Sequence, residues 1–171
     1  MGKNKLTLKE VKKLSPSFLL KEINKMKKKI KSDGVVQEIF KEYGLDIEEI
    51  DYIPMAFKNL NISATCDHGV IYFNYKLLCD GDFEKNYSYA IHEMTHFCQQ
   101  TTGTKPTKSS DDGNYLDNPF EQEGFQNQIE YIANQFGEDE AENYVDDLLE
   151  HHEVEDEDEK DKLEDILLEK V

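Results

Sequence analysis

Between positions 6 and 30, apolar residues recur at Leu14, Phe18, Leu19, Ile23, Met26 and Ile30. Steps of three and four place them along one side of a helix, and Ser15-Pro16-Ser17 marks a break and a fresh helix start within the segment. Residues 35–43 predict a second helix, capped by Asp33 and stopped by Gly44. From 50 to 73 the texture changes to Tyr, Ile, Phe, Thr and Val. There residues 62–66 and 70–73, parted by Asp67-His68-Gly69, predict a hairpin in the outer part of a small antiparallel sheet. Cys79-Asp80-Gly81-Asp82 reads as a turn, with Asp82 as N-cap of a helix that reaches Thr102 and stops at Gly103. Residues 101–118 carry Gly, Pro, Ser and Asp throughout and predict a long loop, which in compact domains often goes with function. Helices follow over 119–136 and 139–150. The segment from His151 onward is so acidic that mobility is expected, apart from a short helix near 163–168.

The net charge of -17 is unevenly spread over the 171 residues and narrows the list of partners. Residues 1–31 hold eleven Lys against Glu10 and Glu22, whereas 138–171 hold seventeen acids against Lys160, Lys162 and Lys170. All twenty basic residues are lysine, so the bidentate fork that reads phosphate and guanine is missing, and no nucleic-acid partner is favoured. The longest apolar runs fall far short of a membrane span, and the basic start lacks a secretory h-region. Cys66, Cys79 and Cys98 are odd in number and widely spaced, which suits a reducing compartment. The expectation is a cytoplasmic protein with no membrane partner.

Within the helix predicted over 82–102 stands Ala90-Ile91-His92-Glu93-Met94-Thr95-His96. Positions i and i+4 of a helix lie one above the other, so the imidazoles of His92 and His96 can converge on one Zn2+ ion. Glu93 lies about 100° round the helix, beside the ion, where a general base for a zinc-activated water belongs. Random placement of five His and 21 Glu would give such a match about 0.02 times in this chain.

A catalytic zinc takes a third protein ligand and keeps one position open. Glu121 and Glu123 are the candidates. With Glu121 as origin, Phe125, Gln128, Ile129, Ile132 and Phe136 fall between about -20° and 80°, the expected inward stripe. Glu121 is on that stripe, whereas Glu123 falls near 200° with Asn127, Glu130 and Asn134 and is expected to face water. A carboxylate on an apolar stripe is unfavourable unless it is paired or binds metal, which points to Glu121; the competing reading is a first-turn acid that merely suits the helix dipole. Gly124, one turn on, would let the two helices approach closely. His151-His152 point about 100° apart and are poorly placed to share an ion. His68 reads as a turn residue and Cys98 as core, while a thiolate from Cys66 or Cys79 reaching the zinc as a latency switch stays open.

His92-Glu93-x-x-His96 followed by Glu121-x-x-Gly124 on a second helix resembles the gluzincin metallopeptidases, especially the single-domain minigluzincins, over about residues 62–136. Residues 92–103 and 115–132 are also similar to uncharacterised metallopeptidase-like proteins of bacteriophages. The resemblance implies an α+β fold: a small antiparallel or mixed sheet whose edge strand lies beside the HExxH helix, a second glutamate-bearing helix, and extra N- and C-terminal helices. It assigns residues 70–73 to the edge strand that receives the peptide by β-augmentation. Implied domains are a basic helical segment over 1–34, the metallopeptidase-like domain over 35–150, and the acidic tail over 151–171. Also implied are zinc on His92, His96 and Glu121, Glu93 as proton carrier, a peptide or protein substrate, and Tyr115, with Tyr89 and Tyr131 close behind, as stabiliser of the oxyanion. In the same group a terminal segment can cover the cleft, a role open to residues 1–34. Two departures stand out: Gly124 replaces a common alanine, and Phe125 stands where a second aspartate would support the site. The alternative is a catalytically silent protein of this fold that binds or regulates through its acidic surface.

Overall fold

The computed structural model describes residues 4–103 and 115–171. Helix α1 (Leu8–Val11) is closed by a reciprocal cap, in which Thr7 Oγ1 accepts from the Glu10 amide and Glu10 Oε2 accepts from the Thr7 amide. The expected break is the cap of α2 (Pro16–Lys31): Ser15 accepts from the Phe18 amide and Pro16 fills the first helical position, where no amide is needed. Asp33 caps α3 (Gly34–Glu42), and Gly44, at φ 67°, ends it with paired bonds from Leu45 to Phe40 and from Gly44 to Lys41.

Three strands follow: β1 (Met55–Lys58), β2 (Ala64–Asp67) and β3 (Val70–Asn74). The hairpin forms as expected, with His68 at φ 50° and Gly69 at φ 79° in succession, the left-handed pair that matches strand twist. Its place in the sheet differs from expectation. Among the described residues the order is β1-β3-β2, with β1 parallel to β3 and β2 antiparallel to it. Residues 70–73 are therefore central, and the strand at the edge beside the HExxH helix is β2. The cause is a non-local pairing: Phe57 sits opposite Phe73 with ring centroids 5.9 Å apart, and Phe83 packs 5.2 Å from Phe57. That aromatic cluster recruits β1 to the outer side of β3 without any turn signal in the sequence.

Asp82 occupies the N-cap position of a 3-10 turn, Phe83–Asn86, and α4 (Tyr87–Thr101) continues from it. The long loop expected over 101–118 falls for the most part outside the described residues; a 3-10 turn over Tyr115–Asp117 leads into α5 (Pro119–Phe136), which Asn118 caps. Helices α6 (Glu138–His151) and α7 (Glu157–Leu167) complete the chain.

Two apolar clusters organise these elements. The first gathers Val11 of α1, Ile23, Met26 and Ile30 of α2, α3, the sheet and the inner face of α4, so α1 and α2 share their core with the elements that follow them. The second joins Phe125, Ile129 and Ile132 of α5 to Val145 and Leu149 of α6 and to Leu163 and Leu167 of α7. The short helix expected near 163–168 is present, begins earlier than expected as α7, and is docked. Leu163 and Leu167, four residues apart, are 1% and 0% exposed, Asp156 caps the helix, and acids in its first turn suit the helix dipole. No helix among the described residues is long and apolar enough to cross a membrane.

Candidate metal centre

Helix α4 is covered on all sides. Ala90, Ile91, Met94 and Cys98 enter the first core, while His92, on the face turned to α5, and Glu93, beside the Cys66 amide of β2, are only 5% and 7% exposed. The Asn118-Pro119 start places Glu121 in the first turn of α5, directly opposite that face. Polar side chains this deeply covered need partners, and they find one another. His92 Nε2 and Glu121 Oε2 are 3.1 Å apart, His96 Nε2 and Glu121 Oε1 are 3.1 Å apart, and the two Nε2 atoms are separated by 3.1 Å. Tetrahedral zinc with bonds near 2.0–2.1 Å would set its ligand atoms about 3.3–3.4 Å apart; here each ring meets a different Glu121 oxygen, and with one ligand atom from each residue the three lie within 4.8 Å of one another, so the side chains would need to turn to share one ion. Two imidazole nitrogens and one carboxylate oxygen match the donor set of a zinc site with one position open to the cleft.

Gly124 makes the approach possible. A Cβ built there would lie 2.9 Å from Cε1, 3.0 Å from Nδ1 and 3.2 Å from Nε2 of His92. The ring is thus laid against bare backbone, with Phe125 packed 4.4 Å from its centroid. At the position where the resemblance called for a second aspartate, the Phe125 ring packs on His92, and His92 Nδ1 is buried without a hydrogen-bond partner among the described residues. Packing rather than hydrogen bonding orients this imidazole. Gly124→Ala should therefore disturb the ligand directly. Overpacking of this kind costs about 1–3 kcal/mol, so the zinc dissociation constant should rise roughly 5- to 150-fold. Competition against a chromogenic chelator measures it, and a constant within twofold of wild type would mean the ring yields freely.

The electrostatics follow from burial and proximity. Burial alone would raise Glu121, but hydrogen bonds from His92 and His96 outweigh it and hold its carboxyl far below the usual range. Burial pulls His96 down, yet the hydrogen bond and charge of Glu121 prevail and leave it at about 9. Glu121 thus favours the protonated form of the His96 ring, and a metal ion bound there would compete with that proton. Burial pushes Glu93 upward, against the opposing pull of both imidazoles and of the Cys66 backbone amide. A carboxylate kept basic in this way is suited to accept protons.

Glu123 does not face water. Its Oε1 and Oε2 accept from the Tyr43 hydroxyl at 2.8 and 2.7 Å, and Oε2 also accepts from Gln99 Nε2 at 3.0 Å. The helical-wheel reading assumed one buried face, whereas α5 is packed against α3, α4, α6 and α7. Asn127, expected on the wet side, is 1% exposed, donates to Thr95 Oγ1 and accepts from Lys170 Nζ.

No family model, no curated protein and no solved structure matches this chain. The site is therefore read from its own geometry.

A cleft of about 440 Å³ opens in front of His92 and Glu93, walled by Ala64 of the edge strand and by Tyr89, Tyr115 and Tyr144. Of the three tyrosines considered from sequence, Tyr89 and Tyr115 reach this cleft, and Tyr131 is 1% exposed in the first core instead. Tyr115 is raised by burial and by its hydrogen bond to Glu121, and its ring stacks on His152 at 5.1 Å. His151 and His152 also line the cleft, although neither joins the ligand cluster. Sequence spacing gave no reason to bring them here; the turn of α6 back along α5 does so. Neither Cys66 nor Cys79 belongs to the cluster either: Cys66 Sγ lies 3.6 Å from Gln100 Oε1, and Cys79 packs against the first core.

Proposed function

We propose that this chain is a zinc-dependent peptide hydrolase of gluzincin type, in which His92, His96 and Glu121 hold the ion and Glu93 moves the protons. One observation carries the reading. From two helices, the Nε2 atoms of His92 and His96 come within 3.1 Å of each other and each within 3.1 Å of a Glu121 carboxylate oxygen, and the buried carboxylate of Glu93 lines the same cleft as His92. When bound, zinc supplies a Lewis acid that polarises a carbonyl and makes water a better acid. Glu93 accepts the proton of the attacking water and returns it to the departing amine nitrogen, two transfers for which its raised basicity suits it. Tyr115 and Tyr89 are the hydroxyls within the cleft available to the developing oxyanion.

The edge strand supplies a reason for a peptide substrate. At Cys66 the outer edge of β2 is occupied, since Gln100 Nε2 donates to the Cys66 carbonyl at 3.4 Å and the Cys66 amide faces Glu93. One pleat earlier, at Ala64, the same edge borders the cleft. An extended peptide adding to β2 would pair near Ala64 and bring its next carbonyl toward the ligand cluster. Three free cysteines agree with a cytoplasmic location for this activity.

Metal analysis of the purified chain, together with mass-spectrometric scoring of a diverse peptide library, tests the reading. The expected result is one zinc per chain and cleavage that a chelator stops and added zinc restores. Failure to bind zinc would overturn it, and stoichiometric zinc without cleavage of any library member would favour a silent binding protein.

A further inference from the structure

His96 is held from behind by a hydrogen-bonded series that spans three helices. The Tyr43 hydroxyl, just past the end of α3, lies 2.8 and 2.7 Å from the two oxygens of Glu123 on α5. Gln99 Nε2, on α4, donates to Glu123 Oε2 at 3.0 Å and to the Phe120 carbonyl at 3.2 Å. Gln99 Oε1 is 2.8 Å from His96 Nδ1.

The direction of every bond in this series is fixed by its acceptors. The Phe120 backbone carbonyl can only accept, and Glu123 Oε2 lies on the same side of the Gln99 amide. The end of the Gln99 amide that faces both must be its NH2 group, which turns the carbonyl end toward His96; the orientation follows from the network rather than from observed hydrogens. A carbonyl at 2.8 Å requires a proton on Nδ1, and a neutral imidazole protonated at Nδ1 presents its lone pair at Nε2. That is the atom 3.1 Å from Glu121 and from His92 Nε2.

We propose that Tyr43, Glu123 and Gln99 form a positioning relay that fixes His96 in the one tautomer able to bind metal through Nε2. The inference rests on the metal-site reading above. Its function differs from a plain interhelical tie because the polarity of the series, and not only its strength, matters. Glu123 acts through Gln99 and touches neither the ligand atoms nor the cleft. It supplies to His96 the support that His92, with an unpartnered Nδ1, obtains from packing. Glu123 keeps nearly the shape of glutamine, so Glu123→Gln changes polarity with little change of volume. The new amide can donate to Gln99, which removes one of the two acceptors that hold its orientation and leaves only the Phe120 carbonyl to keep its NH2 group turned from His96.

The test uses the full chain. Zinc affinity of Glu123→Gln is measured by chelator competition, and the tautomer of His96 is read in metal-free protein by side-chain nitrogen NMR, at a pH well above the titration of His96. The expected result is zinc binding weakened about 10- to 100-fold, the range for loss of an outer partner of a ligand histidine. The spectrum should move from the Nδ1–H form toward the Nε2–H form. An affinity within threefold of wild type, or an unchanged tautomer, overturns the relay. Should Glu123→Gln not fold, Gln99→Met cuts the same series one bond nearer His96 and must give the same loss of affinity and of the single tautomer. Because the tautomer is read without metal, failure of the relay is distinguished from failure of the site, which would show as wild-type protein that binds no zinc.

Discussion

Glu93→Gln should retain one zinc per chain and lose peptide hydrolysis. Glutamine preserves the shape of the side chain and removes its capacity to carry a proton. Glu93 is no member of the ligand cluster, so affinity for zinc should stay within a few-fold of wild type. A single general acid–base group contributes about 10²–10⁴ in rate, and Glu93 is assigned both proton transfers, so kcat should fall at least about 10³-fold. KM should change little. The folded state offers an independent readout. Burial raises the Glu93 carboxyl above its ordinary value, so this acid costs the metal-free fold stability at pH values above the ordinary one, and the cost fades as pH falls back toward it. The neutral amide removes that cost. Metal-free Glu93→Gln should therefore melt at or above the wild-type temperature at pH 7, with the gap closing in acid. Calorimetry combined with a peptide-cleavage time course checks both halves, and a variant that still cleaves at the wild-type rate would exclude Glu93 as the proton carrier.

Glu121→Ala should lose the ion itself. The carboxylate bridges both imidazoles at 3.1 Å, so its removal leaves a two-histidine site and two buried rings without their shared acceptor. One ligand of a protein zinc site accounts for a few kcal/mol of an overall binding energy near 10–16 kcal/mol, so the dissociation constant should rise about 10³-fold or more. His96 should also change. Burial lowers its titration and Glu121 is the largest of the influences that raise it to about 9, so without that partner the imidazole should titrate lower, with only Glu93 and Gln99 left to oppose burial. Zinc stoichiometry after dialysis and NMR titration of His96 follow these two effects separately. A Glu121→Ala protein that keeps a full complement of zinc would sink the ligand assignment.

The helices were legible because their signals are local. Ser15-Pro16, Asp33 and Asn118-Pro119 sit at helix starts, and Gly44 ends a helix in the left-handed conformation. The convergence of His92, His96 and Glu121 was legible for a related reason, since HExxH spacing and the inward position of Glu121 depend only on helical period. The central place of β3 was not, because β1 is paired by an aromatic contact between distant segments. The packed α7 was obscured by its charge: acids fill every face but one, and two leucines suffice to dock that remaining face. Glu123 was misread because a wheel with one wet side cannot describe a helix enclosed by four others. Gln99 left a trace, being three residues after His96 on the same helix, but its purpose depends on Glu123 and Tyr43, which only the fold brings near. The cleft-facing histidines of α6 left no trace at all.

The two apolar clusters do not share the ligand set equally. Both imidazoles are mounted on a helix rooted in the first, whereas the carboxylate comes from a helix whose apolar face belongs mainly to the second. Any cation they hold is consequently a rivet across the α4–α5 seam, and stripping it would loosen the joint between two halves that each stay intact. Hydrogen exchange should register this as faster opening of the first turns of α5, with the amides deep in either cluster unmoved.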